Sequence, residues 1–296
     1  MRIWILSSDS ELASTKRLLT ACKKSRHETE VLNPLELHFE FGRKGLTFYH
    51  LGKAKKLPDL ALPRLGWGSL EYGLRLIQAF EVAGVPVLNS AESYLRAVDK
   101  LRSLQIFHQL GLPVPQTRFS ALTLKSEWQL LKNSKKQVFK TLTGSQGFGV
   151  TWGLNPAQSQ SQVDAFRNVS SPFFAQEMLE ESFGKDIRVF VIAGEIIASM
   201  QRQGVRDDLR SNLHQGGRAR RVRLSAEEKK LALSAVEALG LFYAGVDFLR
   251  TSKGPLLLEA NPSPGFEGVS RACGVDVARQ LVSQFETSAS RSQMIT

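Results

Sequence analysis

The sequence predicts an α/β protein, and three observations carry that prediction. Strand-like and helix-like stretches alternate from the first residues onward, which argues for sheets flanked by helices. Apolar residues fill 42% of the 296 positions, enough for buried cores and too many for a disordered chain. Two cysteines, Cys22 and Cys273, exclude a disulfide-rich scaffold and a cysteine zinc site.

The elements follow in chain order. Residues 2–8 read as a buried strand. Residues 11–25 read as a helix, with Leu12, Thr15, Leu18, Leu19 and Cys22 at helical spacing and Cys22 on its apolar face. A short strand at 30–33 precedes a basic, aromatic-bearing insert at 38–57 with a hairpin around Arg43-Lys44-Gly45. A strand at 61–65, a helix at 71–83 and a strand at 85–88 complete a first unit assigned to residues 1–95. Ser90 is suited to cap a long helix over 91–110, closed by Gly111. Leu112-Pro113-Val114-Pro115 is then extended, because each proline disfavours helix in the residue before it.

A second, smaller unit, 96–172 with its linker helix, holds strands at 138–141 and 150–152 and a helix near 156–168. The third unit, 173–286, opens with a strand at 173–179. Strands at 186–192 and 196–203 flank Ala193-Gly194-Glu195, and a polar, Arg-rich loop fills 204–223. Ser225-Ala226-Glu227-Glu228 is a capping box for a helix ending at Gly240. Two strands flank Ser252-Lys253-Gly254, and Cys273 falls in a loop. Residues 287–296 read as a frayed polar tail. No apolar run approaches the ~20 residues that span a bilayer. The apolar start stops at Ser7, too short for a signal peptide, so a cytoplasmic protein is the default expectation.

Chemistry concentrates in three places. Taking Ser252–Gly254 as a three-residue hairpin loop sets Asp247 directly opposite Glu259, and cross-strand partners share a face. Asn261 lies two residues beyond Glu259 and projects to the same face. Three oxygen donors so placed suit Mg²⁺. A salt-bridged sheet face is the plain alternative, but the stiff Asn261-Pro262-Ser263-Pro264-Gly265 turn favours held ligands. The second place is Lys140, on a strand running into Gly144-Ser145-Gln146-Gly147-Phe148-Gly149. Glycines let backbone N–H groups approach phosphate oxygens, and the lysine adds a point charge. No Walker sequence is present, the order of loop and lysine is the reverse of a protein kinase, and residues 7–10 lack the glycines of a dinucleotide fingerprint. The third place is 186–223, where Asp186, Arg188 and Arg202 lie on adjacent strands and Arg210-Ser211-Asn212-Leu213-His214 follows on a loop. Arginine suits carboxylate and phosphate. Lys100, on the helix after Ser90, and Gln176-Glu177, at a strand end that could meet an adenine edge, are unremarkable alone.

Together these segments resemble the ATP-grasp superfamily and, more narrowly, its RimK-type α-L-glutamate ligases. The resemblance runs from the opening strand to about Phe285. It is carried by Asp99-Lys100-Leu101-Arg102-Ser103, the glycine loop, Asp186-Ile187-Arg188, Arg210-Ser211-Asn212-Leu213-His214, and Ala244-Gly245-Val246-Asp247 with Glu259-Ala260-Asn261-Pro262-Ser263-Pro264-Gly265. It implies an ATP-grasp fold behind an N-terminal Rossmann-like (pre-ATP-grasp) α/β domain. It implies that Lys100 and Lys140 contact ATP phosphates from two domains. Gly144, Gly147 and Gly149 would shape a lid, with residues 141–149 weakly ordered without nucleotide. Gln176 and Glu177 would sit at the adenine hinge and Asp186 in the nucleotide site. Arg210, Ser211 and Asn212 would line the nucleotide–substrate junction, and Asp247, Glu259 and Asn261 would bind two divalent cations, Mg²⁺ or Mn²⁺. Arg188 and Arg202 are added on physical grounds as anchors for the transferred phosphoryl group, making three catalytic arginines with Arg210. Phe148 stands where an aliphatic residue is common, and Gln176-Glu177-Met178 matches the hinge loosely.

The implied activity is ATP-dependent addition of L-glutamate to the C-terminus of small-subunit ribosomal protein six through an acyl phosphate. The implied partners are glutamate, that protein and the ribosome, without membrane or specific DNA binding, in a homo-oligomer, a tetramer by resemblance. Ligases of this kind also act on small molecules, cofactors or carrier proteins. A reading of another class, a non-enzymatic RNA- or ribosome-binding protein, rests on the net charge of +11. It needs exposed aromatics, whereas most of the 17 Phe fall in apolar runs, beside only four Tyr and four Trp. Residues 202–223 carry +5 of the charge beside the proposed site, which suits an enzyme handling acidic substrates.

Overall fold

The computed structural model describes residues 1–43, 45–120, 136–144, 147–205, 208–211 and 216–293. The first unit rests on parallel strands β1 (Arg2–Leu6), β2 (Glu28–Leu32) and β6 (Leu60–Pro63), in the order β2-β1-β6. Side chains of β1 alternate between two cores, Ile3 and Ile5 on one face, Trp4 and Leu6 on the other. Helix α1 (Ala13–Lys24) covers the first with Leu18 and Cys22, and α2 (Leu70–Val82) the second with Leu74, Ile77 and Phe80. The strand expected at 85–88 is reduced to one parallel bridge, Ala61 to Val87, next to Pro86, which has no N–H to donate. The insert forms antiparallel strands β3 (Leu37–Gly42), β4 (Gly45–His50) and β5 (Lys53–Lys55), and Phe48 stacks on Phe80 at 4.4 Å, pinning it to the core. Lys44, in the expected hairpin, lies outside the described residues.

The helix expected over 91–110 is two helices, α3 (Ala91–Val98) and α4 (Lys100–Gln109). Ser90 caps the first as expected. Asp99, in extended conformation, accepts the Arg102 N–H at 3.0 Å and caps the second. An aspartate offered its own cap position ends one helix and opens another. Ala97, Leu104 and Phe107 share a core with Val189, Val246 and Leu257, so both helices belong physically with the large sheet described next.

A four-stranded antiparallel sheet combines β7 (Thr117–Arg118), β8 (Gln137–Thr141), β9 (Val150–Gly153) and β10 (Phe173–Glu177), in the order β7-β10-β8-β9. Helix α5 (Pro156–Asn168) sets Val163 against Phe139, Phe173 and Ala175. Strand β10, assigned from sequence to the third unit, lies inside this sheet, so the small unit continues past residue 172.

The large antiparallel sheet runs β13-β12-β11-β14-β15, from β11 (Lys185–Ile192), β12 (Glu195–Gln203), β13 (Arg218–Arg221), β14 (Tyr243–Thr251) and β15 (Gly254–Asn261). Strand β13 replaces part of the expected loop: three of its four side chains are arginines, but its backbone pairs with β12. Helix α6 (Ala226–Leu239) starts at the capping box of Ser225 and Glu228 and ends at Gly240, φ 68°. Two further helices follow, α7 (Glu267–Cys273) and α8 (Val277–Gln293). Cys273 thus ends a helix rather than sitting in a loop, and α8 continues through most of the expected tail. Val277, Leu281 and Phe285 of α8 share one core with Ile3, Ile5 and Leu18 of the first unit and Phe190 of β11. Asn89 fastens the units further. It donates to the carbonyls of Tyr243 (2.9 Å) and Pro262 (2.8 Å) and accepts from the N–H groups of Phe242 (2.6 Å) and Tyr243 (3.1 Å). Among the described residues no helix is long and apolar enough to cross a membrane.

Candidate active site

Strands β11, β12, β14 and β15 bring the predicted charged residues onto one face of the large sheet. Register pairs Asp186 with Arg202, Arg188 with Asp247, and Asp247 with Glu259. The Asp247–Glu259 pairing is as expected, by a different route. The turn holds two residues, with Thr251 opposite Gly254, and a bulge beside Asp247 restores the alignment. Arg188 grips Asp247 with Nε–H···Oδ1 at 2.7 Å and Nη2–H···Oδ2 at 2.6 Å. Arg202 donates to Asp247 Oδ2 at 2.7 Å and to both oxygens of Asp186, which also accepts the Ser211 hydroxyl at 2.6 Å. Burial opposes the charge on Asp247, yet Arg188 and Arg202 hold its carboxyl below the usual value. Burial likewise works against Arg202, and Asp186 and Asp247 outweigh it, raising its pKa. The two arginines expected to anchor phosphoryl oxygens therefore stand on carboxylates in this structure.

The two lysines arrive from different elements. Lys100 is the first residue of α4. Its N–H donates to the Leu142 carbonyl (2.8 Å), and its Nζ donates to the Gly144 carbonyl (2.6 Å) and lies 3.9 Å from Glu259 Oε2. The helix break at Asp99 is what aims it at the glycine loop. Lys140, on β8, has its pKa lowered to about 8, first by burial and then by Lys100, against the attraction of Glu259, Asp247 and Asp186. It thus lies in the field of the carboxylates on the large sheet. The loop needs its glycines: a Cβ on Gly149, φ +76°, would sit 2.1 Å from Thr141 Oγ1, and one on Gly144 2.8 Å from the Phe148 carbonyl oxygen. Gly147 also has positive φ, and Phe148 is exposed. Ser145 and Gln146, within the expected lid, lie outside the described residues, as do Asn212 and His214.

Gln176 and Glu177 line a cavity of about 250 Å³ with Gln116, Arg118, Lys136 and Met178. Gln176 donates to Thr117 Oγ1 (3.0 Å) and Glu177 accepts from the Gln116 N–H (3.0 Å), so both side chains are tied to the edge strand and its approach. Arg210 is turned toward Asp208, which raises its pKa, and its guanidinium stands 6.0 Å from the Trp152 ring of β9. Sequence reasoning missed both partners: Asp208 stands only two residues before Arg210, a spacing that could have been read, whereas no local spacing announces the contact with Trp152 on another sheet.

Among the described residues no three His, Cys, Asp or Glu side chains form a metal cluster by themselves. The predicted donor set is two carboxylates and an amide, and it fits a hard cation. A carboxylate offers about four lone-pair positions, and Asp247 spends three on the arginines. Glu259 has Lys100 only at 3.9 Å. Asn261 Oδ1 accepts one bond, from the Ser263 N–H at 2.8 Å.

A family model described as a RimK-like ATP-grasp domain matches residues 97–285, and one described as a RimK pre-ATP-grasp domain matches residues 1–94. A protein of Maridesulfovibrio salexigens named a probable alpha-L-glutamate ligase is 38% identical over 290 residues, covering 98% of this chain and 96% of its own. One of the same name from Cellvibrio japonicus is 36% identical over 291 residues, covering 98% and 96%. Among solved structures, a RimK domain ATP-grasp protein from Sphaerobacter thermophilus superposes with a TM-score of 0.73 at 20% identity, covering 96% of this chain and 98% of that one, a likeness of fold.

Proposed function

Because the chain belongs to the RimK-like ATP-grasp family and is a ligase, we propose that it adds L-glutamate to the C-terminal carboxylate of a protein acceptor, small-subunit ribosomal protein six. The observation that carries the reading is the meeting of Lys100, the Gly144 carbonyl and Glu259, which joins the glycine loop to the carboxylate-bearing sheet. In the first step an acceptor carboxylate oxygen attacks the γ-phosphorus of ATP, and the bridging oxygen leaves with ADP. The glutamate amine then attacks the acyl phosphate, phosphate leaves, and an amide remains. Phosphoryl transfer of this kind is mostly positioning and charge neutralisation. Lys100 and Lys140 supply positive charge at the phosphates, and the glycine loop supplies backbone N–H groups and excludes water from the acyl phosphate. Arg188 and Arg202, held on Asp247 and Asp186, are oriented before substrate arrives. Divalent cations bound by Asp247, Glu259 and Asn261 would neutralise phosphate charge and align the oxygens.

The test combines purified chain, ATP, Mg²⁺, glutamate and the ribosomal acceptor. ADP should appear only with acceptor present, and the acceptor should gain mass in glutamyl increments. Growth of a different acceptor in a mass-spectrometric screen would replace the substrate while keeping the chemistry.

A further inference from the structure

Register sorts the side chains of the small sheet between its two faces. Val138 pairs with Trp152 and Lys140 with Val150, so these residues share one face, while Phe139 turns the other way into the core under α5. Lys140 lies in the field of Glu259, Asp247 and Asp186, so its face looks onto the large sheet. Trp152 therefore stands on the cleft side of β9, the strand that leaves the glycine loop, and it is half-buried there. Across the cleft, the loop after β12 is seated closely on the ends of β11 and β12. A Cβ on Gly204 would lie 2.1 Å from the Arg210 carbonyl oxygen, and one on Gly184 2.8 Å from that of Asp208, so only glycines admit this backbone. Next in the chain, the Ser211 hydroxyl donates to Asp186. Arg210 is thus held between that seat and the buried carboxylates of the site.

The Arg210 guanidinium is fixed in two directions. Along one edge, Asp208 accepts its Nε–H at 3.0 Å and its Nη2–H at 2.8 Å, and it also accepts the Arg210 backbone N–H at 2.8 Å. On its face, the guanidinium carbon stands over the Trp152 ring, 6.0 Å from the ring centre. A planar cation gripped along an edge and backed by a ring has little freedom left. Its Nη1 hydrogens and the second Nη2 hydrogen have no partner among the described residues. The side chain keeps 30% of its surface exposed, so this free side of the fork is open to a ligand. Such a fork matches two oxygens of a phosphoryl group.

We propose that Trp152 and Asp208 are positioning residues for phosphoryl transfer: Trp152 backs the face of Arg210 and Asp208 holds its edge, so that the remaining N–H groups meet the oxygens of the transferring group. The proposal rests on the ligase reading above and adds what aims the third of its arginines. In it, an aromatic residue of the small sheet completes an arginine of the large one, and neither Trp152 nor Asp208 touches substrate.

Rates of ADP release by the full chain, with ATP, Mg²⁺, glutamate and acceptor, give kcat and KM for Trp152→Phe, Trp152→Leu, Arg210→Met and the double variant Trp152→Leu with Arg210→Met, each checked for folding by its melting curve. Trp152→Phe keeps a ring and should hold kcat within about threefold of wild type. Trp152→Leu should lower kcat about five- to thirtyfold, as loss of a desolvated cation–ring contact does, with the KM for ATP within about twofold. Arg210→Met should be slowed about a hundredfold or more, a rate that single-turnover measurement reaches. In that background Trp152→Leu should cost nothing further, because the ring has no cation left to orient; a merely structural role would not produce this coupling. Asp208→Asn should likewise lower kcat when Arg210 is present and leave it unchanged in Arg210→Met. Equal losses from Trp152→Leu in both backgrounds, or a loss in Trp152→Phe as large as in Trp152→Leu, would overturn the proposal. So would a raised KM for ATP at unchanged kcat, which would make Trp152 a wall of the nucleotide cleft while the ligase reading stood. A wild-type chain that releases no ADP would instead overturn the reading beneath it, and the proposal with it.

Discussion

At the scale of single residues, the site divides into groups locked by partners and groups left available, and the two should respond differently to mutation. Asp247 compensates two buried arginines. Asp247→Asn should therefore destabilise the fold by about 3–5 kcal/mol as well as abolish ligation, because it leaves buried cations short of a counter-charge. Among the described residues the Glu259 carboxylate faces Lys100 at 3.9 Å and lies in the field of Lys140, looser ties than those of Asp247, so Glu259→Gln should remove Mg²⁺-dependent ADP release with a melting temperature close to wild type. Full activity in Glu259→Gln would exclude it as a cation ligand. Lys140 makes a pH prediction. Its folded pKa, about 8, lies below the ordinary lysine value of 10.5. The folded state thus carries an unfavourable buried charge below about pH 8, and stability should rise as pH climbs from there toward 10.5. A triphosphate favours the charged lysine, so ATP affinity should weaken above about pH 8, and binding there should take up a proton. Calorimetry at pH above 8 in buffers of different ionisation enthalpy should show that uptake in the wild type and lose it in Lys140→Met. Equal uptake in both would place the proton on another group.

At the scale of elements, the sequence was most legible where local chemistry decides and least where pairing does. The capping box at Ser225, the cap at Ser90 and the strands around Asp247 follow from short-range rules, and they stand as expected. Asp99 shows the limit. Its flanking residues have helical periodicity on both sides, so an uninterrupted helix was the natural expectation; the Asp99 cap permits the break, and Lys100 docks onto Leu142 and Gly144 in the broken form. Strand β13 is hidden because Arg218, Arg220 and Arg221 lack the apolar alternation of a half-buried strand; its partner β12 supplies the reason to be extended. The bulge in β15 has no signature at all, and two departures cancelled to leave Asp247 opposite Glu259. Asp99→Ala and Ser225→Ala should each cost about 1 kcal/mol of stability by removing a cap. Only Asp99→Ala should also raise the KM for ATP, since only that cap aims Lys100. Matched losses of activity in both would show that Lys100 reaches the phosphates without the helix break.

At the scale of the whole molecule, the sequence suggested three consecutive units, and the packing joins them. One core runs from Ile3 and Leu18 through Phe190 to Leu281 and Phe285, uniting the two ends of the chain, a contact that no local pattern announces. Polar fasteners reinforce it: Arg64 on the Pro264 carbonyl, Tyr243 Oη donating to the Pro63 carbonyl at 3.2 Å, and above all Asn89, whose amide satisfies two carbonyls and two N–H groups. These fasteners hold Pro262 and Pro264, which follow the β15 carboxylate, against the first unit, so the geometry of the site depends on the union. The first unit and the large sheet should therefore unfold together. Scanning calorimetry should give one transition for them, separable from any earlier melting of the small sheet, whose core of Phe139, Val163, Phe173 and Ala175 is small. Asn89→Ala removes the side-chain partner of four backbone groups, three of them in buried bonds, and should cost about 3–5 kcal/mol, moving that shared transition down as a whole. If Asn89→Ala instead splits it, so that the first unit melts before the large sheet, the common core is too weak to couple them.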